Sequence, residues 1–350
     1  MKRLDVTCKR GGVDLKAIML GVLAAFFFAA AFIFNHSMEL SGGSWVWSGT
    51  LRYFFMLPFL ALIVIMRGNF LHLLREMRSN WPRWVLWSSV GFGLFYAPLC
   101  YSASFAPGWL IAGTWQFTII AGSLLSPLFY ETTHTVNGVV RIRGRIPVKG
   151  LMFSLIILIG IALLQVEQAS SLSLSYALLA VAPVVFAAFA YPLGNRKMMD
   201  VCGDRLDTYQ RVFGMTLASM PFWLVLAVFG IFTAGMPSRT QVVQSFIVAI
   251  SSGVIATILF FSATDQVRGN MQKLATVEAT QSMEVLFTVL WELVLLSTPL
   301  PSLLSWTGML IIMAGMILHS FRSHGAGPST TTELCGNKKE MILTDVSTKE

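Results

Sequence analysis

The sequence predicts an all-α integral membrane protein of ten transmembrane helices, arranged as two inverted five-helix repeats with both termini in the cytoplasm. Three observations support this prediction: long apolar segments, basic residues confined to alternate loops, and short motifs that recur in both halves. Of the 350 residues, 55% are hydrophobic and 12% are charged, whereas about a quarter of an ordinary soluble domain is charged. The surplus of apolar side chains is therefore expected to face lipid.

Apolar segments of about 18 residues or more recur along the chain, and each is long enough to cross roughly 30 Å of hydrocarbon as a helix. The predicted spans cover residues 17–38, 48–66, 84–105, 108–130, 149–166, 174–194, 210–233, 242–264, 275–297 and 302–321. The predicted organisation is a cytoplasmic arm at 1–16, a first repeat at 17–166, a second repeat at 174–321 and a disordered cytoplasmic tail at 323–350.

The formal net charge of +8 is distributed in a way that predicts orientation. Of the 25 Lys and Arg residues, only Arg52 and Arg239 lie outside the arm, the tail and the loops after helices two, four, six and eight. Positively charged flanks stay on the cytoplasmic side of a membrane. The alternation therefore predicts both termini inside, in a multi-pass protein of the inner or plasma membrane, and it explains the basic charge without a nucleic-acid partner.

Short motifs recur in the same order in the two halves. In the first half they are Asn35 to Met38, Arg52, Pro58, Thr114-Trp115-Gln116 and Gly160; in the second half they are Asn195 to Met198, Arg211, Pro221, Ala279-Thr280-Gln281 and Gly315. Five helices per half is an odd number, so the halves are expected to enter the membrane with opposite orientation. Inverted repeats of this kind place a binding site near the midplane, between the halves.

Helix nine carries its polar residues on one face. At 100° per residue, an arc of about 120° contains Glu278, Gln281, Glu284, Thr288 and Glu292. A charge at the centre of the hydrocarbon costs roughly 2.5–3.5 kcal/mol, so this face is expected against a water-filled cavity or polar partners. Glu284 is nearest the middle of the span and is the best candidate for a group that binds and releases protons. A structural ion pair or a loop contact is the alternative for each acid.

Three residues on other helices are further candidates. Arg52 lies within a predicted span and is the candidate ion-pair partner for an acid, although its repeat mate Arg211 begins helix seven, so a position at the membrane interface is the alternative. Trp115 and Gln116 on helix four correspond to Thr280 and Gln281 in the repeat. An indole face beside carboxylates can hold an organic cation, and plain packing is the alternative for Trp115.

The sequence contains no motif typical of catalysis or of metal binding. We find no nucleophile with a base and an orienting group, no paired-histidine metal motif and no phosphate-binding glycine loop. The expectation is therefore no enzyme activity, no cofactor and no metal. A membrane-embedded enzyme or a sensor is a remote alternative.

Several stretches resemble a known family. SGGSWVWSGTLRYFFMLPF (41–59), GFGLFYAPLCYSASFAPGWLIAGTWQ (91–116) and EATQSMEV (278–285) are similar to the putative multidrug resistance efflux transporter branch of the drug/metabolite transporter superfamily. LFTVLWELVLLSTPLPSLLSWTGMLIIMAGMIL (286–318) resembles the closing pattern of the superfamily. The resemblance covers roughly residues 15–322. Thr298 stands before Pro299 where many relatives carry an acid, and helix one lacks the buried glutamate of the small four-helix multidrug exporters.

The resemblance implies transport by alternating access. The leading expectation is export of small organic molecules, with lipophilic cations as first candidates, in exchange for protons. Glu284 would bind cargo and proton competitively, Glu292 or Glu278 would relay protons, and Trp115, Gln116 and Gln281 would line the cavity. A transporter of the same fold that carries a metabolite, such as an amino acid, is the alternative. The expected partners are the small-molecule substrate, protons and membrane lipids.

Overall fold

The computed structural model describes residues 15–106, 108–135, 138–146, 148–169, 174–295 and 302–325. Almost all of the predicted arm and tail lies outside these ranges. The helices are α1 Leu15–Leu40, α2 Trp45–Met66, α3 Phe70–Ser79, α4 Trp81–Ser88, α5 Leu94–Ser102, α6 Gly108–Trp115, α7 Phe117–Leu124, α8 Val148–Ala169, α9 Leu174–Cys202, α10 Thr208–Ala218, α11 Met220–Ala234, α12 Arg239–Val248, α13 Thr257–Gln266, α14 Met271–Ala279, α15 Met283–Leu295 and α16 Leu303–Gly325. Two short strands, β1 Tyr130–Thr135 and β2 Gly138–Arg143, form an antiparallel hairpin.

Within the described residues, four helical stretches are long and apolar enough to cross a membrane on their own: Leu15–Leu40, Trp45–Met66, Leu178–Cys202 and Arg239–Gln266. A fifth is formed if α10 and α11, which meet at a bend of 41°, are taken as one broken span. The chain is thus a largely helical, multi-pass membrane protein. The predicted number of ten spans and the orientation of the termini stay predictions.

Several predicted spans are interrupted in the structure. A π-helical segment at Ser89–Gly93 joins α4 to α5, and a second at Ala249–Ala256 joins α12 to α13. A 3₁₀ turn at Thr280–Ser282 separates α14 from α15, and a single residue, Gln116, separates α6 from α7. The predicted helix nine is therefore two helices, so its polar residues do not follow one continuous 100° spiral. Such local changes of helix type are frequent at functional sites.

Two elements lie in segments predicted only as loops. Helix α3 follows α2 and packs its one fully buried residue, Leu73, beneath Gly214 of α10. The β1–β2 hairpin occupies the loop after α7, with Tyr130 paired to Arg143 and Thr135 to Gly138. Threonine and valine are frequent in this loop, and both residue types favour strands. The sequence interpretation missed the hairpin because it assigned 108–130 to a span and 131–148 to a basic loop.

Small residues allow several helices to pack closely. Helices α8 and α16 meet at Gly160 and Gly315, where an added Cβ at either position would press on Ile312 or Ile157 of the other helix. Gly21 of α1 packs directly against the Thr280 hydroxyl, leaving no room for a Cβ. Helix α1 also contacts α2, α6 and the α12–α15 region. It therefore runs through the centre of the packing and positions residues from both halves around one cavity.

Candidate functional site

A cavity lies where α1, α2, α5, α6, α9 and α15 meet the π-helical segment Ala249–Ala256 and the 3₁₀ turn Thr280–Ser282. Its empty volume is about 440 Å³, which includes space open to solvent. The lining residues are Phe28, Ala31, Phe32, Asn35, Arg52, Phe95, Tyr96, Leu99, Ile111, Trp115, Tyr191, Ser252, Gln281 and Glu284. The enclosed part of the cavity has room for only about one or two water molecules. A larger ligand therefore requires the side chains or helices around the cavity to move.

Glu284 brings a carboxyl group into this cavity. It lies in the first turn of α15, directly after the 3₁₀ turn, and its exposure is 1%. An acid is favoured in the first turn by the helix dipole. Neither carboxyl oxygen has a hydrogen-bond partner of ordinary geometry among the described residues. The Trp115 indole is the neighbouring side chain that interacts with the carboxyl group. Burial of a carboxyl group without an ordinary hydrogen bond is costly.

Aromatic rings surround the same part of the cavity. Phe95, Trp115 and Tyr191 come from three different helices and contact one another, with ring-centre distances of 4.6 to 5.5 Å. The Tyr191 hydroxyl is buried and has no hydrogen-bond partner in the described part of the chain. Ring faces beside an acid attract cations, and they also give apolar surface for the body of a ligand.

Arg52 brings a positive charge into the cavity. It lies on α2 with 2% exposure, and its guanidinium carbon is 3.9 Å from the centre of the Tyr96 ring. Among the described residues it forms no ion pair, and its Nε has no hydrogen-bond partner. Asn35 of α1 and the Tyr96 hydroxyl are hydrogen-bonded at 3.0 Å. The structure therefore brings Arg52 to the cavity without pairing it with an acid.

Glu278 lies outside the cavity in a buried ion pair. Arg196 of α9 donates to both of its carboxyl oxygens, from Nε at 3.1 Å and from Nη2 at 2.7 Å. Arg196 Nη1 also donates to the carbonyl of Gly122 on α7 at 2.6 Å. Since Gly122 has no side chain, the pair fits against the α7 backbone, where an added Cβ would overlap the Glu278 carboxylate. This cluster ties α7, α9 and α14 together.

The other predicted site residues divide between the cavity and its surroundings. Gln281 lines the cavity, and its Oε1 has no partner among the described residues. Gln116 is fully buried, but its amide donates to the carbonyl of Ala112 and it does not line the cavity. Glu292 is half-buried two turns beyond Glu284 and also lies outside the lining. Thr288 bonds back to the Glu284 carbonyl at 2.7 Å.

Sequence reasoning assigned three of these positions differently. It counted Arg196 among cytoplasmic loop residues, whereas the structure places it within α9 at 3% exposure. It named Asn35 only as part of a repeated motif at a helix end, whereas Asn35 lies inside α1 and lines the cavity. Ser252 was not singled out, and it lines the cavity from a π-helical segment. The repeated Asn-x-x-Met motif was the one signal that could have pointed to Asn35 and to the buried position of Arg196.

The fold and the cavity thus define a helical multi-pass membrane protein with a charged, aromatic-lined internal site. Residues 15–325 match the model of the EmrE-type family described as putative multidrug resistance efflux transporter. The chain therefore belongs to this transporter family, within the drug/metabolite transporter superfamily.

Proteins from two bacteria are similar to this chain in sequence. "Uncharacterized protein YjlA" of Bacillus subtilis (strain 168) is 61% identical over 314 residues, which cover 90% of this chain and 97% of that protein. "Uncharacterized 42.1 kDa protein in intracellular alkaline protease 3'region" of Shouchella clausii is 50% identical over 273 residues, covering 78% and 71%. A crystal structure described only as that of a protein matches with a TM-score of 0.66 at 14% identity over 88% of this chain and 97% of the other. It supports the fold alone.

Proposed function

We propose that this chain exports small organic molecules across the plasma membrane by alternating access, in exchange for protons. Membership of a transporter family supports a transport role and a small-molecule substrate. Glu284 carries the mechanistic part of the proposal, because it is a fully buried carboxyl whose two oxygens have no ordinary hydrogen-bond partner in the described structure. Deprotonated, it binds the cationic group of a cargo; protonated, it releases that group.

The proposed architecture joins contiguous helical segments into single spans. Counting 81–102, 108–124, 208–234, 239–266 and 271–295 as one span each gives ten spans with the five uninterrupted long helices. The interruptions also support two related halves, since π-helical segments lie in both third spans and breaks at 116 and at 280–282 lie in both fourth spans. Alternating access then consists of the halves rocking about the cavity between them.

The Arg196–Glu278–Gly122 cluster is a candidate for the contact that closes one side of the cavity during the transport cycle. By the charge distribution, the end of α9 that carries Arg196 faces the cytoplasm. Glu278 is about one and a half turns nearer to that end of the ninth span than Glu284. We propose that the cluster seals the cytoplasmic side of the cavity while it is intact and separates when cargo enters from the cytoplasm.

The test is flux in proteoliposomes that contain the purified full chain. Tetraphenylphosphonium serves as the cationic probe, with and without an imposed pH gradient. We expect gradient-driven flux in the wild type and none in Glu284→Gln. The proposal gives Glu292, which lies outside the cavity lining, no relay role. Glu292→Gln, two turns along the same helix, is therefore the matched control and should keep near wild-type flux. Folding is checked by gel filtration and thermal unfolding. Undiminished gradient-driven flux in folded Glu284→Gln would reject the assigned role.

A second experiment measures how the affinity of the detergent-purified protein for the cationic probe depends on pH. A proton and a cation compete for one carboxylate, so acidification is expected to weaken cation binding by the wild type. Glu284→Gln carries no titrating group at this position and is expected to bind the cation weakly and independently of pH. An equal pH dependence in the wild type and in the variant would contradict competition at Glu284. A metabolite is the second candidate for the cargo. The presence of both a basic and an acidic residue in the cavity lining, Arg52 and Glu284, favours a metabolite that carries both charges.

A further inference from the structure

Arg52 is a buried cation without a counter-ion among the residues that the structure describes. Its guanidinium lies over Tyr96, and the described residues give it no carboxylate partner within ion-pair distance. Glu39, at the end of α1, contacts Ser104 instead. A buried charge that lacks a partner costs several kcal/mol in general. Because Arg52 lines the cavity, a bound ligand can supply the negative charge that would balance it.

In the second half of the chain, the arginine at the matching position forms an ion pair. Arg211, the repeat mate of Arg52, donates to Asp265 at 2.8 Å and lies 4.5 Å from the centre of the Phe261 ring. The offset of 165 residues that aligns Gln116 with Gln281 also aligns Tyr96 with Phe261 and Cys100 with Asp265. The first half thus keeps the arginine and the ring but has Cys100 in place of the acid. Arg52 therefore has no ion-pair partner among the described residues, and it lines the cavity.

The opposite charge lies elsewhere in the same cavity. Glu284 and Arg52 both line it, both are at most 2% exposed, and they are not paired with each other. If their role were only structural, direct contact would be the favourable arrangement in a low-dielectric interior. A lipophilic cation would satisfy Glu284 and leave Arg52 unpaired. A ligand that carries both charges would satisfy both residues.

We infer that the cargo is a small zwitterion whose carboxylate binds Arg52 and whose ammonium group binds Glu284. Arginine suits a carboxylate, which it can hold through two parallel hydrogen bonds. Asn35 and the unpartnered hydroxyl of Ser252 also line the cavity as polar groups. The rings of Phe95, Trp115 and Tyr191 receive an apolar or aromatic body. This inference rests on the proposed transport function and replaces its cationic cargo with a zwitterionic one.

Two matched sets of probes test the inference. Phenylalanine is compared with phenethylamine, which lacks the carboxylate, and with hydrocinnamate, which lacks the ammonium group; leucine is compared with isoamylamine and isocaproate. Binding to the purified full chain is measured by titration calorimetry, and flux is measured in proteoliposomes. We expect at least one zwitterion to bind about tenfold or more tightly than both of its single-charge analogues.

The variants separate the two ends of the ligand. Arg52→Gln is expected to weaken zwitterion binding about tenfold or more while binding of the matching amine changes less than twofold, and Glu284→Gln is expected to weaken the amine and the zwitterion alike. Arg52→Lys retains the charge and should recover part of the zwitterion preference. Cys100→Asp keeps Arg52 in place but supplies the acid found in the second half, so it should mimic Arg52→Gln even if that variant fails to fold.

The outcomes distinguish this inference from the function on which it depends. If amines bind and move as well as the zwitterions, and the folded Arg52 and Cys100 variants leave that ratio unchanged, the zwitterion inference is wrong while transport stands. If neither these probes nor tetraphenylphosphonium move across the proteoliposome membrane under any gradient, the proposed function fails as well. A zwitterion preference that Arg52→Gln and Cys100→Asp both abolish supports the inference.

Discussion

Arg196 and Glu278 form a two-point ion pair in the interior, with side-chain exposures of 3% and 5%. Both carboxyl oxygens are used, and the remaining guanidinium nitrogen binds a backbone carbonyl of a third helix. Glu284, less than two turns away along the chain, has no such partner among the described residues. Two acids of one predicted polar face therefore have different environments, and they are expected to respond differently to substitution.

Removal of one partner of this ion pair should be strongly destabilising. Arg196→Met leaves the Glu278 carboxylate buried and uncompensated, and breaking a buried pair in this way costs about 3–5 kcal/mol. The double variant Arg196→Met/Glu278→Met removes both charges and should recover most of the loss. Reversible unfolding of the purified protein measures both. Equal destabilisation in the single and double variants would show that the interaction between the charges contributes nothing.

Gly122→Ala tests the same cluster from the α7 side. The new Cβ would overlap the Glu278 carboxylate and press on Arg196, and overpacking of this kind typically costs about 1–3 kcal/mol. Leu124→Ala on the same helix is a suitable control, because Leu124 is 42% exposed. We expect a lower melting temperature for the glycine variant than for the control. Wild-type stability in Gly122→Ala would contradict the described fit of the pair against the backbone.

Tyr191→Phe should separate ligand binding from stability. The Tyr191 hydroxyl is buried without a partner among the described residues, so its removal should leave the free energy of unfolding unchanged within about 0.5 kcal/mol. A lost hydrogen bond of about 0.5–1.5 kcal/mol to the cargo would weaken binding about twofold to thirteenfold. Tyr53→Phe is the matched control. Its hydroxyl bonds to the Phe92 carbonyl at 3.3 Å outside the cavity lining, so it should lower stability slightly and leave binding unchanged. The reverse pattern would place the functional hydroxyl at Tyr53.

Gly21→Ala should disturb the contact between α1 and the break in the ninth span. A Cβ at this position overlaps the Thr280 hydroxyl, and we expect a loss of about 1–3 kcal/mol in unfolding free energy. Thr280→Ala removes the overlapping atoms, so the double variant should be more stable than Gly21→Ala alone. Thermal unfolding of the three variants checks this. Additive losses in the double variant would exclude direct contact as the cause.

Helical periodicity depends only on spacing, and it separated most polar residues of the ninth span from its exposed apolar residues. Glu278, Gln281, Glu284 and Thr288 are all nearly or fully buried, whereas Leu290 and Val294 are exposed. Periodicity could not predict the 3₁₀ turn at Thr280–Ser282 or the π-helical segments at Ser89–Gly93 and Ala249–Ala256. The spacing of apolar and polar residues does not determine which backbone hydrogen bonds each turn forms.

The ion-pair partners of the charged residues could not be predicted from the sequence. Arg196 and Glu278 are 82 residues apart in the chain, and nothing local to either residue indicates the other. The charge count assigned Arg196 and Arg211 to the loop after helix six, whereas the structure buries both side chains within helices. Arg52 was recognised as unusual because it is basic within a span. Its lack of an acid became apparent only beside the Arg211–Asp265 pair.

The absence of a side chain at Gly21 has a mechanical consequence. Because α1 is in direct contact with the Thr280 turn, we expect a displacement of that turn to be transmitted to α1. Phe28 lies about two turns farther along α1, and Glu284 about one turn beyond Thr280. Both residues line the cavity, so we expect the aromatic wall and the acid to move together.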